Sequence, residues 1–232
     1  MLLILLFIET PTIKCLLVVM KIFVINLDDA KDRWEHYKDD DRFTRWSATC
    51  REEVKEWDSK KMISFHNIDP DQHLAKCACL KSHLNILSYI MTNRMNDILI
   101  LEDDAILDAD LSEWDKLPED GVTYLGGYTA NKKMTQGPLP LSFSDKIIKV
   151  DIEKFRVLTT MGYYIPTHYV ASSLYSEILE RKRWRAVDVM FGEIKSVPFY
   201  LCHPAPITER QNVSQIRKDK SKKLCDKYYH LS

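Results

Sequence analysis

Ile98-Leu99-Ile100-Leu101-Glu102-Asp103-Asp104 is the stretch from which the rest of the chain can be read. Four consecutive aliphatic residues suit a strand covered on both faces, as in a mostly parallel sheet flanked by helices. Three carboxylates then follow with no spacer. Adjacent negative charges repel, so at neutral pH the cluster asks for a cation or for raised pKa values. Oxygen-only donors on a short stretch suit Mg²⁺ or Mn²⁺, which can in turn hold substrate phosphates. In open α/β sheets ligands bind beyond the carboxyl ends of the strands, where these acids fall. The residues alone equally allow Glu102 and Asp103 to be solvated, with Asp104 capping the next element.

Working outward, the preceding segment reads as a helix. Leu80, Leu84, Leu87 and Met91 recur at helical spacing, and Ile86 and Ile90 widen the apolar stripe. Residues 93–97 end it and lead straight into the strand. Upstream, residues 21–27 read as a first buried strand ending at Asp28-Asp29. A charged helical segment is expected over 30–41 and a second strand over 43–49. Residues 51–76 look polar and irregular, with Asp69-Pro70-Asp71 marking a turn. Strand, helix, strand in this order is the parallel α/β signature.

Downstream, residues 105–117 are amphipathic. Residues 122–127 read as a strand closing on Gly126-Gly127, a pair that lets a ligand approach the backbone. A loop over the site is expected at 131–141. Strands are expected at 146–152, 159–165 and 197–202, and a helix at 168–181. Neither a dinucleotide fingerprint nor a P-loop occurs. With no repeat or linker, one domain is expected over 20–216. Residues 1–19 form an apolar extension outside the fold argument, and 217–232 a basic, solvated tail.

Composition narrows the classes. At 232 residues the chain can bury one substantial core, and a net charge of −1 gives no general attraction to nucleic acid or anionic membranes. Membrane contact is expected only if residues 1–20 are retained. The six cysteines lack zinc-type pair-of-pairs spacing, which favours free thiols in the cytoplasm. Asn212-Val213-Ser214 is a glycosylation sequon if the chain instead enters a secretory lumen. Arg33 offers a fixed fork of donors for a phosphate or uracil carbonyl, or else a salt bridge to Asp29 or Asp32. His83, alone on a mostly apolar helix, reads first as a packed core residue.

Several stretches, in this order, resemble landmarks of glycosyltransferase family 25, the lipopolysaccharide-type and collagen-type β-galactosyltransferases. They are Ile25-Asn26-Leu27 with Asp32-Arg33 after four residues, Cys79-Leu80-Lys81-Ser82-His83-Leu84, and Ile100-Leu101-Glu102-Asp103-Asp104. Gly162-Tyr163-Tyr164-Ile165, Asp188, Pro206 and Ser214-Gln215-Ile216 resemble its C-terminal landmarks. The likeness spans about residues 22 to 216. Ala78 stands where the family usually has Gly, and the chain is shorter than many members.

The resemblance implies a GT-A type fold, a Rossmann-like mixed, mostly parallel sheet flanked by helices. It implies a hexosyltransferase moving galactose or glucose from a UDP-sugar donor to a hydroxyl of a glycan or other hydroxylated acceptor, inverting and assisted by Mn²⁺ or Mg²⁺. Asn26, Asp28, Arg33, Ser82, His83, Asp103, Gly126 and Gly127 would then surround the nucleotide-sugar. Asp104 would hold the metal first and Glu102 second, through water, with His203 a further candidate, although a structural His before Pro204 is the plainer account. Asp188, among apolar neighbours, is the expected general base, with a helix cap or buried ion pair as its alternative. The competing classes are a degenerate nucleotide- or glycan-binding protein, a membrane-anchored partner protein, and a metal-dependent nucleotidyl or phosphoryl transferase. The last of these lacks its expected Gly-rich phosphate loop.

Overall fold

The computed structural model describes residues 20–55, 61, 69–107, 117–131 and 147–210. The expected loop at 131–141, apart from its first residue, and the tail and N-terminal extension lie outside them. Strand β1 (Lys21–Asn26) runs parallel to β2 (Phe43–Ser47) on one side and to β3 (Ile98–Glu102) on the other. The register pairs Asn26 with Ser47 and Ile25 with Glu102, so three carboxyl ends lie side by side. This alignment puts the acids of β3 at one mouth of the sheet.

Four more strands complete the sheet: β5 (Val122–Tyr124), β7 (Ile147–Lys149), β9 (Gly162–Ile165) and β10 (Phe199–Cys202). The seven lie in the order β2-β1-β3-β9-β5-β10-β7. β9 is antiparallel to both β3 and β5, and β7 is antiparallel to β10, while β5 and β10 are parallel. All but β9 and β7 therefore run one way, giving the mixed, mostly parallel α/β sheet that the sequence predicts.

The aliphatic run behaves as its composition requires. Ile98 to Leu101 are all essentially inaccessible, because the sheet is covered on both faces. Ile98 and Ile100 join Phe23, Tyr163 and Ile165 in one core cluster, while Leu99 and Leu101 join Ile22, Val24 and Tyr164 in another. Helix α2 (Pro70–Thr92) closes the first face with Leu80, Ile86, Leu87 and Ile90, and α3 (His168–Glu180) packs beside it. Among the described residues no helix is long and apolar enough to cross a membrane.

Several boundaries differ from the expected ones. Asp69-Pro70-Asp71 is the start of α2 and not a free turn. Asp69 caps by accepting from the Asp71 amide at 3.1 Å, and Pro70 takes the first helical position, where its missing N–H costs nothing. Helix α1 is only Lys31–Trp34, not 30–41. The acids Asp39, Asp40 and Asp41 oppose the negative end of any longer helix, and Asp40 instead accepts from the Arg42 amide. Four short strands were not foreseen. β4 (Ala105–Leu107) pairs with β11 (Ile207–Glu209), and β6 (Tyr128–Asn131) with β8 (Phe155–Leu158).

Candidate active site

A cleft of about 450 Å³ opens at the aligned carboxyl ends of β1, β2 and β3. Its walls come from the loops after β1 and β2, one face of α2, and the acids that close β3. The size lies within the range of small-ligand sites.

The three acids have different surroundings. Asp103 is fully engaged: Arg33 donates to it at 2.6 Å and Asn26 Nδ2 at 2.9 Å. Asn26 also accepts from Arg45 Nε at 2.8 Å and donates to the Ala30 carbonyl at 3.1 Å. Asn26 is 0% and Arg33 7% exposed, so this network joins the ends of β1, β2 and β3 away from water. Arg33 thus pairs with Asp103, with Asp104 at 3.8 Å; the sequence reading offered it to a phosphate or uracil carbonyl, with a salt bridge to Asp29 or Asp32 as the alternative.

Glu102 accepts from the Thr160 hydroxyl and lies 3.6 Å from His83 Nε2. Burial works against its ionisation, but His83, Thr160 and Arg33 together hold its carboxyl below the ordinary value. Asp104 is the opposite case. Burial, then the charges of Glu102, Asp103 and Glu209, push its carboxyl from 3.8 up to about 7. Its Oδ1 is buried with no hydrogen-bond partner. A cation beside it would relieve both features, so the residues present fit a divalent ion.

The helix wall presents Cys79, Ser82 and His83 on one face. The Ser82 hydroxyl donates to the Ala78 carbonyl and accepts from the Thr49 amide, both at 2.9 Å, fastening α2 to the loop after β2. His83 is 1% exposed, with Nδ1 2.7 Å from the Tyr163 hydroxyl and its ring against Tyr163 and Phe191. It is a packed residue, as expected, and its buried Nε2 makes no hydrogen bond, its nearest acid atom being Glu102 Oε1 at 3.6 Å. Asp28 stands at the cleft mouth, accepting from the Ser47 hydroxyl at 2.9 Å.

Other candidates lie outside the cleft lining. Asp188 sits in the first turn of α4 (Val187–Phe191), where its carboxylate accepts from the Val189 amide at 2.8 Å and the Thr159 amide at 3.4 Å. Its charge nevertheless reaches Cys79, whose thiol is raised by burial first and then by Glu102, Asp188 and Asp104. His203, at the end of β10 and in a cis bond to Pro204, does not line the cleft with Asp104 and Glu102. Gly126 and Gly127 do not line it either. A Cβ at Gly126 would meet the Ile207 carbonyl at 2.9 Å, and Gly127 has φ +120° with the Leu158 carbonyl 2.8 Å from a notional Cβ. The pair makes room for β11 and β8 rather than for the cleft.

Sequence reasoning passed over Cys79, Thr160 and Tyr163 as site residues. The signal for Cys79 was its spacing, one turn before His83 on α2. Sγ of Cys79, a ring nitrogen of His83 and a carboxylate oxygen of Glu102 lie within 4.8 Å of one another.

Fold and cleft together define an α/β protein with an acid-lined cleft at the carboxyl ends of adjacent parallel strands. Residues 19–190, well over half of the chain, match the family model described as glycosyltransferase family 25 (LPS biosynthesis protein). The chain belongs to glycosyltransferase family 25, which makes it a glycosyltransferase domain working between a sugar donor and an acceptor. Comparison with curated proteins finds no match.

Proposed function

We propose that the protein transfers a hexose, galactose or glucose, from a UDP-sugar to an acceptor hydroxyl on a glycan or another hydroxylated molecule, with inversion and with Mn²⁺ or Mg²⁺ bound. The observation that carries this reading is the unpartnered, buried Oδ1 of Asp104, on a carboxyl raised to about 7, at the floor of the cleft. Such an acid is held ready for a cation. Asp104 and Glu102 would hold the ion; His203 does not line the cleft.

When bound, the ion neutralises charge developing on the departing UDP. The remaining work belongs to the chain. Arg33, held by Asp103, supplies a fixed positive charge 3.8 Å from Asp104 and sets the side of the cleft on which a diphosphate is favoured. Asn26 and Asp103 position that guanidinium instead of touching the donor. Ser82 and Thr49 fix the wall opposite, and Asp28 offers acceptors at the mouth for a donor hydroxyl. Asp188 is the base in this reading, supported by its partial burial and its electrostatic reach to Cys79. Free thiols at Cys50, Cys77, Cys79 and Cys202 support action in a reducing, cytoplasmic setting.

Asp104→Asn tests the metal assignment. The variant is expected to lose metal-dependent UDP-sugar turnover by roughly 10²-fold or more. Unchanged turnover with unchanged metal dependence would show that the ion, if used, is held elsewhere.

A further inference from the structure

Cys79 and His83 bring to Glu102 a sulfur and a nitrogen donor that sugar transfer with an oxygen-held ion does not call for. Their donor atoms lie within 4.8 Å of one another, and all three residues line the cleft. Cys79 and His83 are one turn apart on α2, and Glu102 ends β3, so both elements that carry the group are rigid and well packed.

Two further observations point to a ligand. First, His83 is 1% exposed, and its Nε2 has no hydrogen-bond partner. The nearest acid atom, Glu102 Oε1, is 3.6 Å away, beyond hydrogen-bond length. Two ligand atoms bound to one tetrahedral zinc at 2.0–2.2 Å lie about 3.4 Å apart, so this gap suits a shared ion. Second, His83 Nδ1 is 2.7 Å from the Tyr163 hydroxyl, and the Thr160 hydroxyl donates to Glu102. Outer partners of this kind fix the orientation of metal-binding imidazoles and carboxylates.

We propose that Cys79, His83 and Glu102 bind a zinc ion, in a site distinct in chemistry from the oxygen-only corner at Asp104. One thiolate, one imidazole and one carboxylate are donors for Zn²⁺, whereas Mg²⁺ and Mn²⁺ select oxygen. Three protein ligands leave the fourth position of a tetrahedral ion to a ligand from the cleft, as in reactive rather than purely structural zinc sites. Glu102 is common to both corners, so occupancy of the zinc site would alter the acid partner available to the donor-side ion. The proposal stands on the cleft geometry and not on the identity of the sugar.

Cobalt(II) added to the metal-free, full-length protein tests it without any sugar nucleotide. One equivalent of Co²⁺ is expected to bind with a thiolate-to-cobalt charge-transfer absorption, displaced by one equivalent of Zn²⁺. Cys79→Ser should abolish that absorption. Tyr163→Phe removes only the hydroxyl beside His83 and should keep the fold and the absorption while weakening Co²⁺ binding by about 10–100-fold. Absence of the absorption in the wild type, or its survival in Cys79→Ser, overturns the site. Unchanged affinity in Tyr163→Phe overturns the role given to His83.

Discussion

Asp104→Asn should make the metal-free protein more stable at alkaline pH. In the unfolded chain this carboxyl titrates near 3.8, whereas in the native cleft burial and three neighbouring acids raise it to about 7. Between those values the native state holds a proton that the unfolded state has released. Stability therefore falls as pH rises through that window, and the loss is complete above about pH 7. The difference from 3.8 to about 7 corresponds to about 4 kcal/mol. Asn keeps the shape without the charge, so at pH 8 the variant should gain up to about 4 kcal/mol, falling to nothing near pH 4. Denaturant titrations of chelator-treated wild type and variant at pH 4, 6 and 8 measure this. Mn²⁺ should narrow the gap, because ligand at 100 times Kd stabilises the wild type by about 2.7 kcal/mol. A variant no more stable than wild type at pH 8 without metal would refute the reasoning.

Three further outcomes follow from the same geometry. Arg33→Ala strands Asp103 in the buried network and should cost about 3–5 kcal/mol in denaturant titration. Gly127→Ala places a Cβ at φ +120° and 2.8 Å from the Leu158 carbonyl, and should lower stability by about 1–3 kcal/mol without changing nucleotide binding, since Gly127 is not in the cleft lining. Asp188→Ala should abolish sugar transfer while UDP still binds, as titration calorimetry would show; normal transfer would remove Asp188 as the base.

The fold was legible where the residues carry a one-dimensional signal. Ile98 to Leu101 suit a strand buried on both faces, and the stripe from Leu80 to Met91 reads as a helix facing the core. The start of α2 was missed because Asp-Pro reads alike as a turn and as a cap followed by a first helical position. Strands β4, β6, β8 and β11 are three or four residues long and gain their order from pairing partners distant in the chain, which no local pattern announces. At the candidate site, Glu102, Asp103, Asp104, Arg33 and His83 were all named from the sequence, and all line one cleft. Their division of labour was not legible, because it depends on which acid meets Arg33 and which is left without a partner. Gly126 and Gly127 misled for the same reason: a glycine shows that something comes close, and here it is β11 and β8.

If the acid-floored cleft takes a UDP-sugar with a divalent ion, nucleotide release must depend on both. Release of nucleotide from UDP-galactose, UDP-glucose, GDP-mannose and a CMP-sugar, each with Mn²⁺ and with chelator, tests it most directly. UDP release from a UDP-hexose is expected, requiring the ion and lost in Asp104→Asn. Release confined to GDP- or CMP-sugars, or UDP release indifferent to chelator, would contradict it.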